Sequence, residues 1–128
     1  MPRLWLIDDT PAMHRVADAT VAMVDGWDFD GHLNGADAVA AFEHLGDGIP
    51  PDVILMDFYL GDDRGDHVTA CLRQLETAHH RPVIVGYSSV RSGSAAILAA
   101  GGDLILPKHE NSDGINPSLL AYLRDWPR

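Results

Sequence analysis

Residues 53–65 read VILMDFYLGDDRG, an apolar run followed by an acidic and glycine-containing segment. Apolar residues run without a break from Val53 to Met56, and Asp57 is the first polar residue after them. Short continuous apolar runs of this kind are typical of strands that are covered on both faces of a parallel sheet. An apolar stripe at helical spacing follows, made of Val68, Cys71, Leu72 and Leu75. The segment therefore predicts a strand followed by a helix that packs on the sheet.

The same strand-then-helix unit recurs on both sides of this segment. Strands are predicted over residues 4–7 and 83–85, with weaker ones over 27–33 and 103–106. Helices are predicted from near Pro11 to a stop at Gly26, over 36–45, from an Asp66 cap onward, over 92–100, and after an Asn116 cap. Five such units predict an α/β fold with a parallel five-stranded sheet.

Composition and charge narrow the classes of function. The 128 residues are 46% hydrophobic and 22% charged, as in folded globular proteins, so we expect a single domain over residues 1–128. The formal net charge of -10 argues against nucleic acid and anionic membranes as partners. The first apolar run ends at Asp8, too early for a signal peptide or a membrane span, which favours the cytoplasm.

Polar residues follow the predicted strands at their carboxyl ends, where open parallel sheets collect functional groups. In chain order they are Asp8 and Asp9, Asp57, Ser88 and Ser89, and Lys108. Two carboxylates about 4 Å apart repel each other by roughly 4 kcal/mol at an effective dielectric of about 20, so the group needs a cation. Oxygen ligands without a Cys or His cluster favour Mg²⁺ over zinc. In a simpler interpretation, Asp8 or Asp9 only caps the first helix.

At these residues the chain resembles the receiver domains of two-component response regulators, the CheY-like superfamily, over essentially its whole length. The matching segments are LWLIDD (4–9), ILMDFYLGDDRG (54–65), VIVGYSS (83–89) and GGDLILPK (101–108). The resemblance implies a flavodoxin-like (βα)5 three-layer sandwich with strand order 2-1-3-4-5. It also implies one receiver domain without an output domain.

The resemblance assigns roles to the acidic residues. It implies that Asp57 is the phosphoacceptor, and that Mg²⁺ or Mn²⁺ is held by Asp8, Asp9, Asp57 and the backbone carbonyl of Tyr59. Gly65 matches the glycine that the family places eight residues after the acceptor.

The resemblance also names the residues that would stabilise the phosphoryl group. Ser88 is the hydroxyl expected to close onto this group, with Ser89 as the alternative, and Lys108 is its expected ion-pair partner. Tyr59 and Val90 occupy positions that influence how fast water removes the phosphoryl group. Because both side chains are bulky and not acidic, we expect them to shield it.

Three positions depart from the family pattern. Ile105 stands at the switch position, where receivers usually carry Tyr or Phe. Gly61 stands where most receivers have proline, and Lys108 is followed by His109 rather than by the usual proline in a cis peptide. Signalling through an aromatic side chain on the last strand is therefore not expected.

We interpret the chain as a stand-alone receiver and not as an enzyme in the usual sense. A sensor histidine kinase or a histidine phosphotransfer protein would donate the phosphoryl group, and an unknown protein would bind in response. One alternative is a receiver-like scaffold without phosphorylation, favoured by Ile105 and by the missing proline after Lys108. A haloacid-dehalogenase-type phosphatase is disfavoured, since its Asp-x-Asp pattern is absent at the adjacent Asp8 and Asp9.

Overall fold

The computed structural model describes residues 1–45, 48–77 and 80–127, and strands and helices alternate along this part of the chain. The elements in order are β1 (Arg3–Ile7), α1 (Pro11–Val21), β2 (Asp28–His32), α2 (Gly35–Glu43), β3 (Val53–Met56), β4 (Tyr59–Leu60), β5 (Asp63–Arg64), α3 (Gly65–Leu75), β6 (Val83–Gly86), α4 (Arg91–Ala99), β7 (Leu104–Ile105) and α5 (Pro117–Arg124). None of these described helices is both long enough and apolar enough to span a membrane.

The main sheet has five strands in the order β2-β1-β3-β6-β7, and every neighbouring pair in it is parallel. If only the five strands of this sheet are numbered along the chain, their order across the sheet is the predicted 2-1-3-4-5. The parallel sheet and its helices confirm the flavodoxin-like α/β fold.

Each face of the sheet has its own apolar core, because successive side chains of a strand point to opposite faces. Leu4 and Leu6 of β1 pack on the side covered by α1 and α5. Trp5 and Ile7 pack on the side covered by α2, α3 and α4. Burial on both faces explains why the central strands are continuous apolar runs in the sequence.

The strand register aligns the carboxyl ends of the three central strands. Ile7 of β1 pairs with Met56 of β3, and Met56 pairs with Gly86 of β6. The residues that follow these strands, Asp8, Asp57 and Tyr87, therefore start at the same edge of the sheet.

Helix α1 ends at Val21, so the prediction that it continues to Gly26 was wrong. The N–H of Met23 donates to the Thr20 carbonyl and that of Val24 to the Val21 carbonyl, which turns the chain after the helix. Gly26 has φ 87 and lies just before β2. The chain needs these residues to reverse direction, and Val24 packs in the apolar core on the side of the sheet covered by α1.

Helix α3 begins two residues earlier than predicted, and Asp66 is not its cap. The N-cap is Arg64, and Gly65 is the first helical residue. Asp66 lies in the first turn, where its carboxylate accepts a hydrogen bond from the Arg64 guanidinium at 2.6 Å. The preference of Asp for the cap is outweighed because β5 ends at Arg64 and feeds directly into the helix.

A short antiparallel hairpin, β4 with β5, lies between β3 and α3 and was not predicted. Its turn contains Gly61 at φ 67. Proline is locked near φ of about -65° and cannot adopt this conformation. The hairpin therefore explains glycine at this position.

Helix α5 begins as predicted, with Asn116 as its N-cap and Pro117 in its first turn. The Asn116 side chain accepts hydrogen bonds from the N–H groups of Ser118 and Leu119. These bonds satisfy two of the amides that a helix leaves unpaired at its start.

Candidate functional site

Three carboxylates meet at the carboxyl-terminal edge of the sheet. Asp8 follows β1 and is fully buried, Asp57 follows β3 and is 6% exposed, and Asp9 is exposed. One oxygen from each carboxylate lies within 4.8 Å of the other two. The cap of α1 is Thr10, so neither Asp8 nor Asp9 serves as its cap.

Lys108 is the cation that faces these carboxylates. Its Nζ lies 2.6 Å from Asp8 Oδ2 and 3.1 Å from Asp57 Oδ1. Its side chain is 9% exposed, so the lysine is not a solvated surface residue. The peptide bonds around it are trans, as are all others among the described residues.

The donor set fits a divalent metal. The single positive charge of Lys108 balances only one of the three carboxylates that face each other here. Carboxylate oxygens at this spacing are the ligands that Mg²⁺ and Mn²⁺ prefer. Asp8, Asp9 and Asp57 are therefore the residues that could hold such an ion.

The pKa of Asp57 is raised above its ordinary value. Burial is the largest cause because it favours the uncharged acid, and the negative charge of Asp8 adds to it. Lys108 acts in the opposite direction, as does the Phe58 N–H, which donates to Asp57 Oδ1 at 2.9 Å. Additional positive charge at the site would therefore favour the ionised carboxylate.

The backbone at Asp57 is held in place by the start of α3. The N–H of Gly65 donates to the Phe58 carbonyl at 2.7 Å. A Cβ atom on Gly65 would collide with the carbonyl oxygen of Asp57. Glycine is required here because of this close approach.

The two serines line a pocket together with Lys108. Ser88 is 9% exposed, and its Oγ accepts a hydrogen bond from the Val90 N–H at 3.1 Å. Ser89 is exposed. Within the described parts of the chain, neither serine has a hydrogen bond to Asp57 or Lys108. Because the Ser88 oxygen acts as an acceptor in this bond, its hydroxyl hydrogen can still be donated to another group.

The other predicted residues lie on the rim of the site. Ile105 is 44% exposed and lines a pocket of about 380 Å³ together with Ser88 and Lys108. Tyr59 is 59% exposed and packs edge-on against Phe58, with ring centroids 4.9 Å apart. The function of the Tyr59 backbone carbonyl as a ligand stays a prediction.

Val90 is also on the rim and is 36% exposed. It is the N-cap residue of α4, and its backbone N–H holds the Ser88 hydroxyl. Its side chain is therefore open to solvent close to the predicted phosphate-stabilising serine.

A buried residue pair behind the site was not predicted from the sequence. Tyr87 is 1% exposed, and its hydroxyl accepts a hydrogen bond from Asn116 Nδ2 at 2.7 Å. Burial raises the pKa of Tyr87 to about 12. A tyrosine at the end of a buried strand usually needs a partner for its hydroxyl, and this was the available signal.

Comparison with known proteins gives matches only among solved structures. No protein-family model and no curated protein matches the chain. The response regulator receiver domain (CheY-like) from Methylobacillus flagellatus aligns with a TM-score of 0.76 and 20% identity over 97% of both chains. The chain has the receiver-domain fold.

Two further structures with the receiver fold contain additional groups. The response regulator TrrA from Thermotoga maritima, in complex with Mg²⁺ and BeF, aligns with a TM-score of 0.74 and 18% identity over 97% of both chains. A Burkholderia pseudomallei response regulator with a phosphorylated aspartic acid, calcium and citrate aligns with a TM-score of 0.69 and 21% identity. That alignment covers 98% of this chain and 68% of the other.

Proposed function

We propose that this chain is a response-regulator receiver that takes up a phosphoryl group on Asp57 in a metal-dependent reaction. The observation that carries the proposal is the position of the Lys108 ammonium, 3.1 Å from Asp57 and 2.6 Å from Asp8. A buried carboxylate next to a second carboxylate and a cation is suited to group transfer that depends on charge neutralisation.

Asp8, Asp9 and Asp57 are the proposed ligands of Mg²⁺ or Mn²⁺, with the Tyr59 backbone carbonyl as a further one. When bound, such an ion reduces the repulsion between the carboxylates and the oxygens of an incoming phosphoryl group. The support for this assignment is the set of oxygens within 4.8 Å of one another.

In the proposed reaction, an Asp57 carboxylate oxygen attacks the phosphorus of a phosphohistidine. An O–P bond forms while the N–P bond breaks, and the histidine leaves with the electron pair and takes up a proton. Asp57 Oδ1 already accepts from Lys108 and the Phe58 N–H, so Oδ2 is the proposed nucleophile. Lys108 and the Ser88 hydroxyl are the proposed donors to the transferred oxygens, with Ser89 as the alternative to Ser88.

The proposed phosphodonor is a sensor histidine kinase or a histidine phosphotransfer protein, and the proposed response is altered binding to another protein. Phosphorylation replaces the single negative charge of the Asp57 carboxylate with a phosphoryl group that carries about -1.5 to -2 and three acceptor oxygens, enough to bias a two-state surface. A cytoplasmic location and function without an output domain stay predictions from the sequence.

The proposal is tested by treating the protein with acetyl phosphate and Mg²⁺ and measuring its intact mass. We expect a gain of one phosphoryl group, no gain with excess EDTA, and no gain in Asp57→Ala. Asp62→Ala is the matched control, because it removes an exposed carboxylate near the site and should leave the gain unchanged. Absence of an adduct in the folded wild-type protein contradicts the proposal and favours the receiver-like scaffold.

A further inference from the structure

A buried hydrogen-bond network lies directly behind the lysine of the site. Its centre is Asn116, which is fully buried. The Asn116 Nδ2 donates to the Tyr87 hydroxyl at 2.7 Å and to the Pro107 carbonyl at 2.9 Å. Its Oδ1 accepts from the N–H groups of Ser118 and Leu119. Both donors and the acceptor of this amide are used, which fixes its orientation.

The backbone of Asn116 is fixed as well. Its N–H donates to Thr20 Oγ1 at 3.1 Å, and the Thr20 hydroxyl donates to the Val16 carbonyl at 2.7 Å. Thr20 is fully buried on α1. The network therefore joins the start of α5 to a helix on the same face of the sheet.

Tyr87 joins this network to the strand that carries the phosphoacceptor. Its backbone N–H donates to the carbonyl of Met56, the residue before Asp57, at 2.8 Å. Its ring is part of the core between the sheet and the helices α1 and α5. With a pKa of about 12, the phenol is neutral at physiological pH and acts through its hydrogen bond. The position of its hydroxyl is thus set by the sheet.

Lys108 itself lies outside regular secondary structure. Strand β7 ends at Ile105, and residues 106–116 contain neither strand nor helix. The Leu106 N–H still donates to the Gly86 carbonyl at 3.1 Å. The next fixed group along the chain is the Pro107 carbonyl, which Asn116 holds directly before Lys108. This side-chain contact therefore holds the peptide group that joins Pro107 to Lys108.

We propose that Tyr87 is a positioning residue for phosphoryl transfer, acting through Asn116 on the Pro107 carbonyl and so on Lys108. The inference rests on the proposed function, in which Lys108 binds the transferred oxygens. Tyr87→Phe keeps the ring but removes the acceptor of one Asn116 N–H, which weakens the hold on the segment that carries the lysine.

The chain offers a direct readout, because Lys108 is its only lysine. Selective ¹⁵N-lysine labelling therefore gives a single backbone amide signal in an NMR spectrum. In Tyr87→Phe we expect this signal to shift, and the rate of phosphorylation by acetyl phosphate at saturating Mg²⁺ to fall by about three- to tenfold. The Mg²⁺ affinity should stay within about twofold, because the proposed ligands Asp8, Asp9 and Asp57 keep their places.

Tyr122→Phe is the matched control. It makes the same chemical change on α5, at a partly buried tyrosine of the same core. It should leave the Lys108 signal and the rate at wild-type values. Asn116→Ser is a second variant, which keeps a good helix cap while removing both Nδ2 donors. It should show the same shift and the same loss of rate, and it provides the test if the Tyr87→Phe protein folds poorly.

The two proposals fail in different ways. If the wild-type protein accepts no phosphoryl group, the proposed function is contradicted. If the wild-type protein is phosphorylated and folded Tyr87→Phe or Asn116→Ser reacts at the wild-type rate, the positioning role of Tyr87 is overturned. Equal loss of Mg²⁺ affinity and rate would also overturn it, since that pattern indicates general damage to the site.

Discussion

The ammonium of Lys108 lies 2.6 Å from a carboxylate oxygen of the fully buried Asp8. Removing this cation would leave a buried negative charge without its partner, which is costly. We predict that Lys108→Met lowers the free energy of unfolding of the metal-free protein by about 2 kcal/mol, and that Mg²⁺ restores part of the loss. Urea unfolding with EDTA and with Mg²⁺ measures both effects.

Arg91→Met is the control for this prediction, because Arg91 lines the pocket beside Lys108 but is exposed. Its effect should be within about 0.5 kcal/mol. Equal stability of Lys108→Met and the wild-type protein in EDTA would show that the ion pair does not hold the carboxylates together.

The raised pKa of Asp57 predicts a pH-dependent cost of folding. The folded protein binds the Asp57 proton more tightly than the unfolded chain does, because the pKa of this carboxyl has its ordinary value of 3.8 in the unfolded chain. The protonated Asp57 carboxyl therefore makes its full stabilising contribution below pH 3.8. This contribution is lost as the pH rises through the pKa that Asp57 has in the folded protein. We predict that Asp57→Asn stabilises the metal-free protein at neutral pH, and that the gain shrinks as the pH falls toward the ordinary pKa of 3.8.

Urea unfolding in EDTA across this pH range tests the prediction for Asp57→Asn, with the exposed Asp62→Asn as control. A gain that is the same at every pH would contradict the assigned cause. With saturating Mg²⁺ the order should reverse, because the wild-type protein keeps the carboxylate proposed to bind the ion.

Tyr59 is predicted to slow the loss of phosphate from Asp57. Its ring is 59% exposed and packs against Phe58, the residue next to the phosphoacceptor. We predict that Tyr59→Asn shortens the lifetime of the phosphorylated protein by about three- to tenfold, because a smaller polar side chain gives water better access. The loss of the phosphorylated mass is followed after the phosphodonor is removed.

Met23→Asn is the matched control for shielding, since Met23 is 49% exposed just after α1 ends, at the edge opposite the site. It should leave the lifetime unchanged. If phosphorylated Tyr59→Asn has the wild-type lifetime, the Tyr59 side chain does not shield the phosphoryl group from water.

Gly65 is predicted to be the most sensitive glycine near the site. A Cβ atom there would meet the Asp57 carbonyl group, whereas one on Gly61 would meet nothing within 4 Å. We predict that Gly65→Ala costs at least about 2 kcal/mol of stability and that Gly61→Ala costs about 1 kcal/mol, because only its positive φ is unfavourable. Thermal unfolding compares the two, and an equal cost would contradict the close approach of α3.

The sequence was sufficient to predict the sheet, because each central strand is an unbroken apolar run flanked by helical spacing. It was not sufficient for the hairpin of β4 and β5, whose strands of two residues each are too short to carry a periodic signal. The prediction of Asp66 as the cap of α3 was wrong for a related reason. The hairpin, and not the local preference of Asp66, determines where that helix begins.

The sequence was sufficient to place together those residues of the candidate site that follow the ends of strands. The carboxyl ends of parallel strands meet at one edge, so Asp8, Asp57 and Lys108 could be placed together from their order alone. The bond between Tyr87 and Asn116 joins residues that are 29 positions apart. It depends on how α5 packs against the sheet, which local sequence patterns do not determine.

The proposed function requires that the Asp57 side chain receives the phosphoryl group. The decisive experiment is to phosphorylate the wild-type protein with acetyl phosphate and Mg²⁺, reduce the product with borohydride, and map its peptides by mass spectrometry. Borohydride converts an aspartyl phosphate to homoserine with release of phosphate, so we predict homoserine at position 57. Homoserine at another aspartate, or at none in a folded and phosphodonor-treated protein, would contradict the claim.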